Sequence, residues 1–185
     1  MALLDRHHLR RKAFIAVHAG ASFQGRRWQP ERFAAVVDEI SRESGLDFVL
    51  VGGPDERKPA EQILARAASP VVDLVGALSL ETLLAFLEQA RLFLGNESGP
   101  MHMAAAAGTP VVGLFGLTSP INWGPVGVPS VALQPCMPCE CVAGNLCRWP
   151  DPSKACCVWR LDVEPVVGAV REILSRTEVG LEHAL

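Results

Sequence analysis

The stretch Leu92–Pro125, LFLGNESGPMHMAAAAGTPVVGLFGLTSPINWGP, constrains the fold more than any other part of the chain. The apolar run Arg91-Leu92-Phe93-Leu94 reads as a short buried strand that empties into the polar turn Gly95-Asn96-Glu97-Ser98-Gly99. Pro100 suits the first position of a helix, where its missing N–H removes no bond. Met101 to Ala107 continue that helix, and Gly108 closes it where a left-handed residue is wanted. Thr109-Pro110 then leads into a second apolar strand, Val111–Phe115, followed by a second small, polar turn, Gly116-Leu117-Thr118-Ser119-Pro120. This is a strand–turn–helix–strand unit. Its turn sets small residues at a helix N-terminus, where unpaired N–H groups and partial positive charge favour phosphate or carboxylate.

The same alternation runs through the rest of the chain. Ala13–His18 (AFIAVH), Asp47–Gly52 (DFVLVG), Val71–Val75 and Val131–Leu133 are further apolar strands. Between them, helices are predicted from Pro30, with Phe33, Val36, Val37 and Ile40 on one face, and over Ala60–Ala67, with Ile63, Leu64 and Ala67 inward. Ser79 is a candidate N-cap for a helix carrying Leu80, Leu83, Leu84 and Leu87 inward. Asp162 could cap a closing helix along Val163, Val166, Val170 and Ile173/Leu174. Nearly continuous apolar strands alternating with helices define an α/β, doubly wound parallel sheet covered on both faces. At 185 residues the whole chain, 1–185, reads as one domain with its core over about residues 13–176. In such a sheet both polar turns lie at the carboxyl ends of strands, where ligands bind.

Composition narrows the function classes. With 49% hydrophobic and 20% charged residues and a net charge of −3, the chain is an ordinary globular one. Mild acidity argues against a nucleic-acid partner, and the absence of tyrosine against stacking platforms. No apolar run reaches the roughly 18–20 residues of a membrane-spanning helix, and Met1–Arg6 lacks a signal-peptide core. A cytoplasmic location is the default. Arg10-Arg11-Lys12 reads either as a solvated lead-in to a strand or as peripheral contact with an anionic inner-membrane surface.

Other residues suggest chemistry at the strand ends. Ser22, Arg26 and Arg27 follow the first strand, and guanidinium forks beside backbone donors suit a diphosphate. Asp55 and Glu56, after the second strand, could accept hydrogen bonds from ribose hydroxyls. Glu97 and His102 bracket the central turn, whereas His7, His8, His18 and His183 carry no comparable argument. All six cysteines lie in Cys136–Cys157. Cys136, Cys139, Cys141 and Cys147 could hold zinc, form disulfides or remain free thiols.

In its central stretch the chain resembles the nucleotide-sugar half of family 9 glycosyltransferases, the lipopolysaccharide heptosyltransferase family. The matching positions are Glu97, Ser98, Gly99, His102, Ala104–Ala107, Gly108-Thr109-Pro110, Val111–Gly116 and Trp123-Gly124-Pro125. Upstream, Gly20, Ser22, Arg26 or Arg27, Trp28 and Pro30 match the family's phosphate turn. The resemblance implies a Rossmann-like domain equivalent to the C-terminal domain of a GT-B inverting glycosyltransferase. It also implies donor contacts from Ser22, Arg26 or Arg27, Glu56, Leu78 (against the base), Glu97, Ser98, Gly99 and His102. Trp28 is expected to be a packing anchor. The family usually has Asp where this chain has Glu97; the extra methylene moves the charge by roughly 1.5 Å, about one covalent bond, which bears on donor preference.

The resemblance further implies an ADP-heptose-like donor, a lipid-linked saccharide acceptor and no required cofactor. The N-terminal acceptor domain, which would bring the catalytic base, is expected to be missing from this chain and to act in cis or in trans. Little transfer by the chain alone is therefore expected, and no catalytic residue within it. Two alternatives stand beside this reading: a non-catalytic nucleotide-binding module, and a cysteine-cluster metal or redox domain.

Overall fold

The computed structural model describes residues 2–116, 118–135 and 157–182. Cys136, Cys139, Cys141 and Cys147, with the zinc site considered for them, lie outside the described residues, as does His183.

Six parallel strands form one sheet: β1 (Phe14–His18), β2 (Asp47–Leu50), β3 (Val71–Asp73), β4 (Leu92–Asn96), β5 (Val111–Leu114) and β6 (Ser130–Leu133). Their order is β3-β2-β1-β4-β5-β6. The helices are α1 (Ala2–Arg6), α2 (Pro30–Ser44), α3 (Arg57–Leu64), α4 (Leu80–Leu87), α5 (Gly99–Ala106), α6 (Pro120–Trp123) and α7 (Val163–Glu182).

The two-residue period of a strand sends alternate side chains into two cores. Ile15 and Val17 of β1 meet Phe33, Val36, Val37 and Ile40 of α2, with Val166, Val170 and Ile173 of α7, on one face. Phe14 and Ala16 meet Leu83, Phe86 and Leu87 of α4 and Met101 and Ala104 of α5 on the other. Central strands buried on both sides explain why β1 and β4 read as unbroken apolar runs. On the outer side, Arg171 of α7 bridges Glu39 and Glu43 of α2 at 2.7 and 2.5 Å.

Several expectations shift. Helix α3 begins at Arg57 rather than Ala60, because Pro59 falls in the first turn, where a helix tolerates it. In α4, Ser79 caps as expected, accepting from the Thr82 N–H at 3.2 Å, but the buried face is Leu83, Phe86 and Leu87. Leu80 is 73% exposed and Leu84 41%. The sheet decides between the two overlapping leucine faces: Phe86 stacks on Phe14 with ring centroids 4.8 Å apart, turning Leu80 and Leu84 outward. Strand β4 extends through Gly95 and Asn96, so the turn expected there starts later. Asp162 stands immediately before α7, 3.5 Å from Arg32. Gly108 has φ +74°, the left-handed conformation read for it after α5.

Candidate functional site

Strands β1 and β4 are hydrogen-bonded neighbours, with His18 opposite Gly95. From β1 the sheet grows outward through β2 and β3, and from β4 through β5 and β6. The order therefore reverses between them, and the crevice at their carboxyl ends is where open α/β sheets take ligands. The polar residues gathered there come from the ends of β1 and β4 and from the loops after β1, β2, β4 and β5.

The first group forms around Asn96, which is fully buried. Its Oδ1 accepts from the Trp28 N–H at 3.0 Å, and its Nδ2 donates to the carbonyls of Ala19 at 2.9 Å and Gly20 at 3.3 Å. One side chain thus pins both ends of the loop that follows β1. Trp28 itself is a packing anchor: it stands edge-on to Phe33 and donates its Nε1–H to the Leu161 carbonyl at 2.8 Å.

The second group is ionic. Glu97, only 7% exposed, accepts from Thr118 Oγ1 at 2.9 Å and pairs with Arg26 at 3.0 Å through the same oxygen, Oε2. Arg26 closes the 3-10 turn Gln24–Arg26, and its guanidinium carbon lies 5.3 Å from the Phe23 ring centroid. Its Nε is buried and has no hydrogen-bond partner among the described residues.

The third group centres on His18, 1% exposed. Its Nε2 lies 2.9 Å from Glu56 Oε1, and its Nδ1 lies 3.1 Å from Ser98 Oγ. Ser98 Oγ is also 2.9 Å from the Asn96 carbonyl, to which it can donate. Glu56 Oε2 accepts from the Gly53 N–H at 2.7 Å. Burial works against the charge on Glu56, but the hydrogen bond and charge of His18, the Gly53 amide and nearby Arg27 outweigh it. The carboxyl is held below the ordinary glutamate range. The carboxylate also rests on Gly20, where a Cβ would lie 1.7 Å from Oε1.

The residues singled out from the sequence are thus distributed unevenly. Arg26 and Glu97 are paired, and Glu56 and Ser98 are joined through His18. Arg27 turns its Nε–H to the Ala21 carbonyl at 2.9 Å while its charge reaches Glu56. Ser22 and His102 are exposed and Leu78 is half-buried, packed against the α4–α5 core; among the described residues none of the three bonds to the others. Gly99 opens α5 and is exposed, with nothing within 4 Å of a Cβ placed on it.

His18, Asn96 and Thr118 were missed from the sequence. The available signal was a polar residue closing an apolar strand, as His18 closes AFIAVH and Asn96 follows LFLG. Among the described residues no cluster of His, Cys, Asp or Glu could hold a metal ion, and no helix is long and apolar enough to cross a membrane.

Comparison with known proteins agrees with this architecture. The model of glycosyltransferase family 9 (heptosyltransferase) matches residues 3–145. Lipopolysaccharide heptosyltransferase 3 of Escherichia coli is 38% identical over 101 residues, which are 53% of this chain and 29% of that protein. Among solved structures, a family 9 glycosyl transferase from Veillonella parvula DSM 2008 superposes with a TM-score of 0.83 at 24% identity, over 95% of this chain and 50% of that one. E. coli ADP-heptose lipopolysaccharide heptosyltransferase II gives 0.79 at 20% identity, over 96% and 51%. The chain belongs to glycosyltransferase family 9, and its sheet is the Rossmann-like layer of a GT-B glycosyltransferase. It spans about half the length of those two solved structures.

Proposed function

We propose that this chain is the C-terminal, nucleotide-sugar-binding half of an inverting heptosyltransferase and grips the diphosphate of an ADP-heptose-like donor. The observation that carries the reading is the convergence of Arg26–Glu97 and His18–Ser98 on the point where strand order reverses. Ser98 and Gly99 stand where α5 begins. Pro100 has no N–H and Met101 donates to the Ser98 carbonyl at 3.2 Å, so the amides of Ser98 and Gly99 are the donors this reading uses. The family of the chain and the ADP-heptose enzyme among its structural neighbours support the same donor class.

As the anomeric bond breaks, negative charge accumulates on the departing diphosphate. Helix N–H groups at Ser98 and Gly99, with Arg26 or Arg27, are preorganised donors for that charge and need no reorganisation during the step. Glu97 holds Arg26 in place through a charged pair also bonded to Thr118. Glu56 would take the ribose hydroxyls, Leu78 the base, and Ser22 and His102 outer oxygens of the donor. No divalent ion is required by this arrangement.

The general base and the lipid-linked saccharide acceptor would belong to an N-terminal half, in cis or in trans. The share of each solved relative that this chain covers supports that division. So do the exposed side chains of Phe23 (62%), Ile121 (94%) and Trp123 (50%) on the segments after β1 and β5, which suit cover by further protein. Calorimetric titration with a panel of nucleoside diphosphates tests the reading. ADP is expected to bind, and Ser98→Ala and Arg26→Ala each to weaken it about tenfold or more. Absence of binding by every nucleoside diphosphate at about 1 mM, an affinity worth only about 4 kcal/mol, overturns it.

A further inference from the structure

The donor-site reading gives His18 no contact with the donor, yet among the described residues this buried imidazole is bonded to both Glu56 and Ser98. A carboxylate only accepts, so Nε2 carries the hydrogen that faces Glu56. Ser98 has a single hydroxyl hydrogen and two acceptors within reach: the Asn96 carbonyl at 2.9 Å and His18 Nδ1 at 3.1 Å. A phosphate oxygen arriving at the start of α5 would be a third. Whenever the hydroxyl points to the carbonyl or to a ligand, Nδ1 faces the lone pairs of the Ser98 oxygen instead of its hydrogen. What Ser98 presents to Nδ1 therefore changes with the acceptor its hydrogen chooses, and with it the polarisation of the bond the ring makes to Glu56.

We propose that His18 is a positioning residue that couples the phosphate end of the donor site, through Ser98, to its ribose end, through Glu56. The proposal rests on the donor-site reading above. Its geometry is confined: the ring is walled in at the carboxyl end of β1, with Glu56 reaching it from the turn after β2 and Ser98 from the turn after β4. Three strand ends thus meet on one imidazole. A ligand that engages Ser98 alters the partner that orients Glu56, with no movement of the backbone needed.

Two substitutions separate the two arms, because each keeps one of them. The amide of Gln in His18→Gln extends toward Glu56 and leaves Ser98 unmatched; the shorter amide of His18→Asn reaches the Ser98 side alone. Titrations of the full chain with ADP and with 2′,3′-dideoxy-ADP give the readout. Wild type should prefer ADP by roughly tenfold. His18→Gln is expected to weaken both nucleotides but keep that preference. His18→Asn should bring the preference to within about twofold. Equal losses for both nucleotides in both variants, or no loss in either, overturn the coupling.

A second measurement needs no ligand and no substitution of His18. In long-range nitrogen NMR of the ring, Ser98→Ala should move the Nε2 resonance and Glu56→Gln the Nδ1 resonance; if each variant moves only the nitrogen it touches, the coupling is refuted. Wild type that binds neither nucleotide overturns the donor-site reading, and the ring resonances then decide the coupling separately.

Discussion

The backbone N–H of Trp28 donates to Asn96 Oδ1 at 3.0 Å across 68 residues of sequence. The same amide group returns two hydrogens to the carbonyls of Ala19 and Gly20. Asn96 therefore does for the loop after β1 what a ladder partner does for a strand. Asn96→Ala should lower stability by about 2–4 kcal/mol, since it strands a buried N–H and two carbonyls. Asn96→Asp should be no milder, because a carboxylate meets those carbonyls with acceptors only. Urea unfolding midpoints measure both.

Gly20 and Gly99 give opposite expectations. A Cβ on Gly20 would occupy the place of the Glu56 carboxylate, 1.7 Å from Oε1, so Gly20→Ala should expel Glu56 from His18 and destabilise the chain by about 1–3 kcal/mol. Gly99 has open space around it, and Gly99→Ala should leave stability within about 1 kcal/mol of wild type. The same methyl would stand in the way of a phosphate at α5, so affinity for ADP should still fall. Thermal melting and calorimetry together check the pair.

Arg26 and Glu97 form a largely buried ion pair, with side chains 18% and 8% exposed. Removing one partner leaves the other charge uncompensated, and Arg26→Met should destabilise by about 3 kcal/mol. The double variant Arg26→Met/Glu97→Gln should recover part of that loss, with a coupling of about 1–3 kcal/mol in a double-mutant cycle. A coupling indistinguishable from zero would show that the contact carries no energy.

Glu56 gives an acid-side prediction. Its folded pKa is depressed, so its contribution to stability is fully present above the unfolded value of 4.5 and is lost as pH falls through the folded one. The stability gap between wild type and Glu56→Gln should accordingly be widest at about pH 7 and narrow by about pH 3. Guanidinium unfolding at the two pH values measures it.

The fold was legible because burial on both faces writes itself into composition: FIAVH and LFLGN are strands with no solvent side to advertise. Caps were legible for a local reason, since Ser79 bonds a residue only three positions on. The inward face of α4 was not, because Leu80, Leu83, Leu84 and Leu87 satisfy two helical faces equally and only Phe14, 72 residues away from Phe86, breaks the tie. At the site, the turn Glu97-Ser98-Gly99 was visible as chemistry in sequence order. The contacts that assemble it were hidden. His18 meets Glu56 at a separation of 38 residues and Ser98 at 80, and no local pattern encodes such meetings.

Asn96 and His18 seal the polar end of the core and also set the groups that face the crevice. If the proposed donor site holds, tuning it toward a different sugar donor is therefore a problem of foldedness as much as of recognition. Libraries that vary Ser22, Leu78 and His102, whose side chains stand outside the hydrogen-bonded lattice, can sample new preferences cheaply. Those that reach into the lattice will mostly report how many molecules remain native.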